Sequence, residues 1–155
     1  MKVRIGNYPT HRFYHNWLHD WFGYSPKQKT SIRIEKYDTW SMDHTLAPII
    51  LPMLIQLKKE KHGAPCVDLE DVPEELHPTN TEEWQKLYNE GGETDDKFFK
   101  RWDWVLDEMI YAFDCKENKD DVIMRFEDMK EVKAEQDRIS NGFRLFGKYY
   151  ESLWD

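Results

Sequence analysis

Apolar and polar residues alternate in two short stretches near the start of the chain, Lys2-Val3-Arg4-Ile5 and Ser31-Ile32-Arg33-Ile34-Glu35. A period of two marks a strand with one buried face, and the shared placing of Val or Ile beside Arg predicts that the two strands pair. Between them the aromatic-rich segment His11 to Phe22 runs into Gly23, which predicts a short helix closed by a glycine cap. The period then changes to that of a helix. From Met42 to Lys61 the residues Leu46, Ile49, Ile50, Met53 and Leu57 recur at helical spacing, with Leu51 and Ile55 on the other side, which predicts a central helix buried on both sides. Pro48 and Pro52 each lack an N–H, so a kink there, or a start at Pro48, is expected.

After His62-Gly63, the stretch Ala64 to Asn80 holds three prolines and forms a long connection of the kind that often carries function. A short helix is predicted over Trp84 to Tyr88. Beyond Gly91-Gly92, Thr94, Asp95 and Asp96 open the clearest helix, whose stripe runs Phe98, Trp102, Val105, Leu106, Met109, Ile110, Phe113. Val122 to Phe126 predicts a short strand. A final helix from about Glu131 to Tyr150 is expected to bury Val132, Ile139, Phe143, Phe146 and Tyr150. The fold class that follows is α+β, predominantly α-helical: a kinked central helix, long helices packed on it and a small N-terminal β-sheet.

A length of 155 residues suits a single domain with one core. The formal net charge of −8 argues against non-specific duplex DNA binding, which needs clustered positive charge. That charge is polarised, at +5 over residues 1–61 and −13 over 62–155, and we read it as one domain, 1–155, whose halves pack together. No apolar run reaches the ~18 residues of a membrane span. The start lacks the apolar stretch of a secretory signal, and two cysteines make no disulfide framework, so a reducing cytoplasm is expected. The aromatic load of 7 Trp, 8 Tyr and 8 Phe is what composition leaves to explain.

Four groupings could carry chemistry. On the helix from Asp95 to Asp114, Trp104 and Tyr111 lie nearly opposite the apolar stripe and are flanked by Arg101 and Glu108. They suit base stacking, an oligomer interface, or a helix sandwiched between two layers. A third face carries Asp103 and Asp107 four apart, a spacing that fits a shared cation or an exposed acidic surface. The segment 37–45 places Trp40, Asp43 and His44 at a strand-to-helix junction, where an Asp-His pair orients a base or ligates metal and where Asp38 or Ser41 serves as a helix cap. In the last helix Arg144 and Lys148 share a face, with Arg138 off it, and offer positive charge for phosphate. His11, His15 and His19 share a helical side, but the third lies ~12 Å from the first, too far for one ion. The acidic run 67–76 lacks the glycine of a calcium loop and is expected to be solvated or docked on the basic first third. Motifs for nucleotide hydrolysis, dehydrogenation, serine hydrolysis and zinc are absent, so no cofactor is expected.

Several segments are word-like: YDTWSMDHTLA (37–47), HGAP (62–65) with EDVPEEL (70–76), RWDWVLDEMI (101–110) and RISNGFRLFGKYY (138–150). In these segments, which with Lys2 to Gly6 and Ile32 to Ile34 span most of its length, the chain resembles a family of uncharacterised proteins encoded by tailed bacteriophages. The resemblance implies a phage product with an accessory role in the cytoplasm of the infected bacterium. The leading functional expectation is non-enzymatic binding of a small anionic, nucleotide-like ligand or a host protein, with counter-defence as a setting. Trp40, Asp43, His44, Arg101, Trp104, Tyr111, Arg138, Arg144 and Lys148 are the candidate ligand-binding residues. The alternatives are a metal-dependent phosphohydrolase using Asp43, His44, Asp103, Asp107 and Glu108, and a structural or assembly protein whose Trp104/Tyr111 face forms a homo-oligomer.

Overall fold

A computed structural model describes residues 1–6, 13–80, 95–118 and 128–154. The expected short helix at 84–88 and strand at 122–126 lie outside the described residues. The fold is predominantly helical α+β with a two-stranded sheet. It forms two compact units, Met1–Thr45 and Leu46–Asp155, where the sequence reading expects one domain over 1–155.

In the first unit, β1 (Lys2–Ile5) and β2 (Thr30–Arg33) pair antiparallel with Lys2 opposite Arg33 and Arg4 opposite Ser31. The connection carries α1 (Phe13–Phe22), which ends on Gly23 in the left-handed conformation that glycine tolerates. The expected half-buried face is largely absent, since Ile5 and Ile32 are exposed and only Val3 is half-buried. A 3-10 turn, Lys36–Thr39, follows. Glu35 and Asp38 close a capping box around it, and the Met1 amino group meets the Asp38 carboxylate at 2.5 Å.

Helix α2 (Met42–Glu60) runs through both prolines without a break in its helical span. Because Pro48 and Pro52 carry no N–H, the carbonyls of His44 and Pro48 lose their partners four residues on. Only one face of α2 is buried, through Ala47, Leu51 and Leu54, whereas Met53 and Ile55 are exposed. The apolar residues on its far side therefore do not make it a helix buried all round.

In the second unit, α3 (Phe98–Asn118) and α4 (Met129–Lys148) pack on each other more extensively than any other two helices. Their core joins Trp102, Val105, Leu106, Met109 and Phe113 of α3 to Leu145 and to Tyr149 just beyond α4. Ala47, Leu51 and Leu54 of α2 and Val67 and Val72 of the connecting loop complete it. Gly142 sits where the helices touch: a Cβ there would lie 2.4 Å from the Glu108 carbonyl oxygen and 2.6 Å from the Ala112 Cβ. The last helix starts on Asp128, whose side chain accepts from the Lys130 amide at 2.9 Å. At its end the sequence phase fails. The α-helix stops at Lys148 and a 3-10 turn, Tyr150–Ser152, takes over, so Tyr149 turns inward and Tyr150 outward, reversing the expectation for Tyr150.

Candidate functional site

The long connection from Ala64 to Asn80 is structured by its own acidic run. Asp71 is buried, and its carboxylate takes the Arg144 guanidinium at 2.6 Å, the Lys148 ammonium at 2.6 Å and the Tyr149 hydroxyl at 2.7 Å. Lys148 also reaches Asp68 at 2.7 Å and Glu70 at 3.1 Å. The carboxylate oxygens of Asp68, Glu70 and Asp71 lie within 4.8 Å of one another, and the ammonium meets all three. The acidic run thus docks on α4 of its own unit. Burial pushes the Asp71 carboxyl up, but the hydrogen bonds from Lys148, Tyr149 and Arg144 outweigh it and hold the group below the usual carboxylate range. Burial and the Asp71 carboxylate raise the Tyr149 phenol. Desolvation opposes the Lys148 charge, yet the three carboxylates raise its pKa.

The other expected site residues of this unit are engaged in the same way. Arg101 is buried and forms a forked pair with Asp95 while donating to the Leu76 carbonyl at 3.0 Å. Arg138 clasps the buried Glu108 with its Nε at 3.0 Å and its terminal nitrogen at 2.7 Å, and its guanidinium lies 3.7 Å from the centroid of the Tyr111 ring. The Tyr111 hydroxyl donates to Glu135, which raises the phenol pKa. Trp104 is half-buried against the main core. The Trp104/Tyr111 face is therefore not an open stacking platform, because α4 covers Tyr111 and the core takes Trp104. Asp103 pairs with Lys61 at 2.6 Å and Asp107 with Lys58 at 2.5 Å. Those carboxylates, with Glu108, are each met by a protein cation, and Asp43 and His44 belong to the other unit.

Two hollows among the described residues are lined by exposed apolar or aromatic side chains. In the second unit, an apolar groove of about 710 Å³ runs between Leu46, Ile50 and Met53 of α2 and Phe146, Tyr150 and Leu153 at the C-terminal end. In the first unit, Tyr37 and Trp40 project from the 3-10 turn and its C-cap with 81% and 87% of their surface exposed, around a shallow hollow of about 560 Å³ that Ser41, His44 and Thr45 complete. Asp43 lies 3.7 Å from the His44 ring. His15 and His19 line a separate hollow with Asp20, His11 lies outside the described residues, and among the described residues no metal-ligating cluster includes a histidine.

Of the sequence-predicted site residues, the fold brings Trp40 and His44 to one hollow, Arg138 onto the Tyr111 ring, and Arg144 and Lys148 onto the Asp71 carboxylate. The sequence reading missed Tyr37 as a partner ring and missed Lys2 and Arg33, whose facing positions depend on strand register. It also missed Asp71, Asp95 and Tyr149, the internal partners of the basic residues. The reciprocal charges of the acidic run and the last helix were the available signal. Comparison with protein-family models, with curated proteins and with solved structures finds no match. Among the described residues no helix is long and apolar enough to cross a membrane.

Proposed function

We propose that the protein is a non-enzymatic accessory factor of a tailed bacteriophage. It works in the cytoplasm of the infected cell and binds a small anionic, nucleotide-like ligand in a counter-defence setting. The observation that carries this reading is the pair of exposed rings, Tyr37 and Trp40, around a hollow next to the cationic end of the hairpin. An exposed indole and an exposed phenol lining one hollow offer flat faces on which a planar ligand can stack. The imidazole of His44 adds a polar group to the lining of the hollow.

Calorimetric titration with linear and cyclic nucleotides tests the reading. Heat with at least one of them, lost in Trp40→Ala, supports it; silence across the panel removes it. A second reading, capture of a host protein segment, is favoured by the apolar groove beside α2, where Met53 and Tyr150 are more than half exposed. A Met53→Asp substitution separates the two, because it spoils the groove and leaves nucleotide binding untouched.

A further inference from the structure

The charge of the first unit supplies a second feature beside the exposed rings. Residues 1–45 carry 7 Lys/Arg against 4 Asp/Glu, a net of +3 in a protein of −8. Among the described residues, its ion pairs are Met1–Asp38, His19–Asp20, Arg33–Glu35 and His44–Asp43, so none involves Lys2, Arg4, Lys29 or Lys36. In the hairpin, residues paired across the ladder share a face, as do residues two apart on one strand. Lys2, Arg4 and Arg33 therefore stand on one face, with Lys2 directly opposite Arg33. Like charges set opposite each other destabilise a strand pair. Glu35, besides its capping-box role, meets the Arg33 Nε at 2.7 Å on the surface.

The Met1–Asp38 contact ties the end of this cationic face to the turn that presents Tyr37 and Trp40. Lys2 and Arg4 are about 7 Å apart along the strand, close to the repeat of an extended sugar-phosphate backbone. A line of cations leading to exposed rings is the arrangement that binds single strands, in which phosphates track the charge and bases stack on aromatic faces.

Resting on the nucleotide-binding reading above, we infer that the first unit binds a short single-stranded nucleic acid, with a base on Trp40 or Tyr37 and the flanking phosphates along Lys2, Arg4 and Arg33. A duplex is disfavoured, because its bases are not free to stack on the rings and the protein as a whole is acidic.

Fluorescence anisotropy of the full chain with labelled DNA and RNA strands of 2 to 12 nucleotides, and with a matched duplex, tests this. The expected result is affinity that grows with length beyond a mononucleotide and exceeds that for the duplex. Contact with three phosphates predicts a loss of roughly 20-fold between 50 and 200 mM salt. Trp40→Ala is expected to weaken binding by about 5- to 150-fold, and Lys2→Glu with Arg4→Glu to reduce both affinity and salt dependence. Circular dichroism confirms that these surface variants fold. Mononucleotides binding as tightly as oligomers overturn the polymer inference and leave the small-ligand reading standing. Absence of binding to either overturns both. Pelleting with phosphatidylserine vesicles without oligonucleotide binding assigns the surface to lipid and likewise overturns the inference.

Discussion

Two glycines in one helix make opposite predictions for the same substitution. In α4, alanine at 142 would place its Cβ 2.4 Å from the Glu108 carbonyl oxygen and 2.6 Å from the Ala112 Cβ, both on α3. Ordinary contact between such atoms is about 3.5 Å or more, so the helices must separate by roughly 1 Å. Neither neighbour is the far end of a flexible side chain, so rotamer changes cannot absorb the clash. Overpacking against backbone this close costs the upper part of the usual range, about 2–3 kcal/mol, and the helix-propensity gain of alanine over glycine, about 1 kcal/mol, offsets only part of it. Five residues on, a Cβ at Gly147 meets nothing within 4 Å. There the propensity gain acts alone.

The expected outcome is a Gly142→Ala variant destabilised by about 1–2 kcal/mol and a Gly147→Ala variant stabilised by up to about 1 kcal/mol. For a chain of this size each kcal/mol moves Tm by about 2–4 °C, so the melting temperatures diverge to either side of wild type. Scanning calorimetry at a fixed rate, with urea unfolding as a check, measures both. A Gly142→Ala protein that melts at or above the wild-type temperature would refute the close approach of α3 and α4, and with it the helix pairing that carries the core.

Four further outcomes are expected. Asp71→Asn should cost about 1–3 kcal/mol at pH 7 by removing the buried carboxylate that Arg144, Lys148 and the Tyr149 hydroxyl share, while Lys148 keeps Asp68 and Glu70; because the native carboxyl is held low, its contribution is present above about pH 4 and fades as pH falls through the lowered value, so urea curves of wild type and variant converge in acid. Arg138→Ala should cost about 3 kcal/mol by leaving the buried Glu108 uncompensated, and adding Glu108→Gln should recover part of that loss in a double-mutant cycle of urea unfolding. Trp102→Phe should lie within about 1 kcal/mol of wild type by chemical denaturation, well short of the 3–5 kcal/mol usual for truncating a buried indole, because the Trp102 Nε1–H is buried without an acceptor among the described residues. Trp40→Ala should leave Tm within about 1 °C of wild type, since a ring 87% exposed contributes little burial, while quenching of tryptophan fluorescence by nucleotide disappears.

The helices were legible because period and caps are local. Met42 to Lys61 and the Phe98 stripe needed only the spacing of apolar residues, and both helices are found. The hairpin was equally legible from two short alternations. Pairing partners were not. That Arg144 and Lys148 turn to Asp71 depends on where a proline-rich loop returns in space, and nothing local in the last helix encodes it. That Tyr111 is covered depends on Arg138 crossing from α4, which spacing within α3 cannot reveal. Trp40 was singled out for its residue type at a junction, whereas its exposure belongs to a short turn whose neighbours do not wrap it.

The balance of charge within each unit decides where an anion can be held. Residues 46–155 carry 26 Asp/Glu against 15 Lys/Arg, so a cation there always has carboxylates to choose from, and Arg101, Arg138, Arg144 and Lys148 have each taken one. A phosphate taking the Arg144 terminal nitrogen that Asp71 holds would have to displace a carboxylate already fixed at 2.6 Å and buried. Leaving such a buried charge unpaired costs about 3–5 kcal/mol, more than the 1.5–3 kcal/mol a charge-assisted hydrogen bond returns. Exchange at the helical core is therefore unfavourable for any ligand that offers one phosphate per arginine. In residues 1–45 the ratio is reversed, Lys2 faces Arg33 across a strand pair, and an incoming phosphate relieves a repulsion without breaking a buried pair. The arginines that look most like an anion site in the sequence are thus already engaged by carboxylates, and the proposed hairpin site beside Trp40 would hold negative charge at a lower cost.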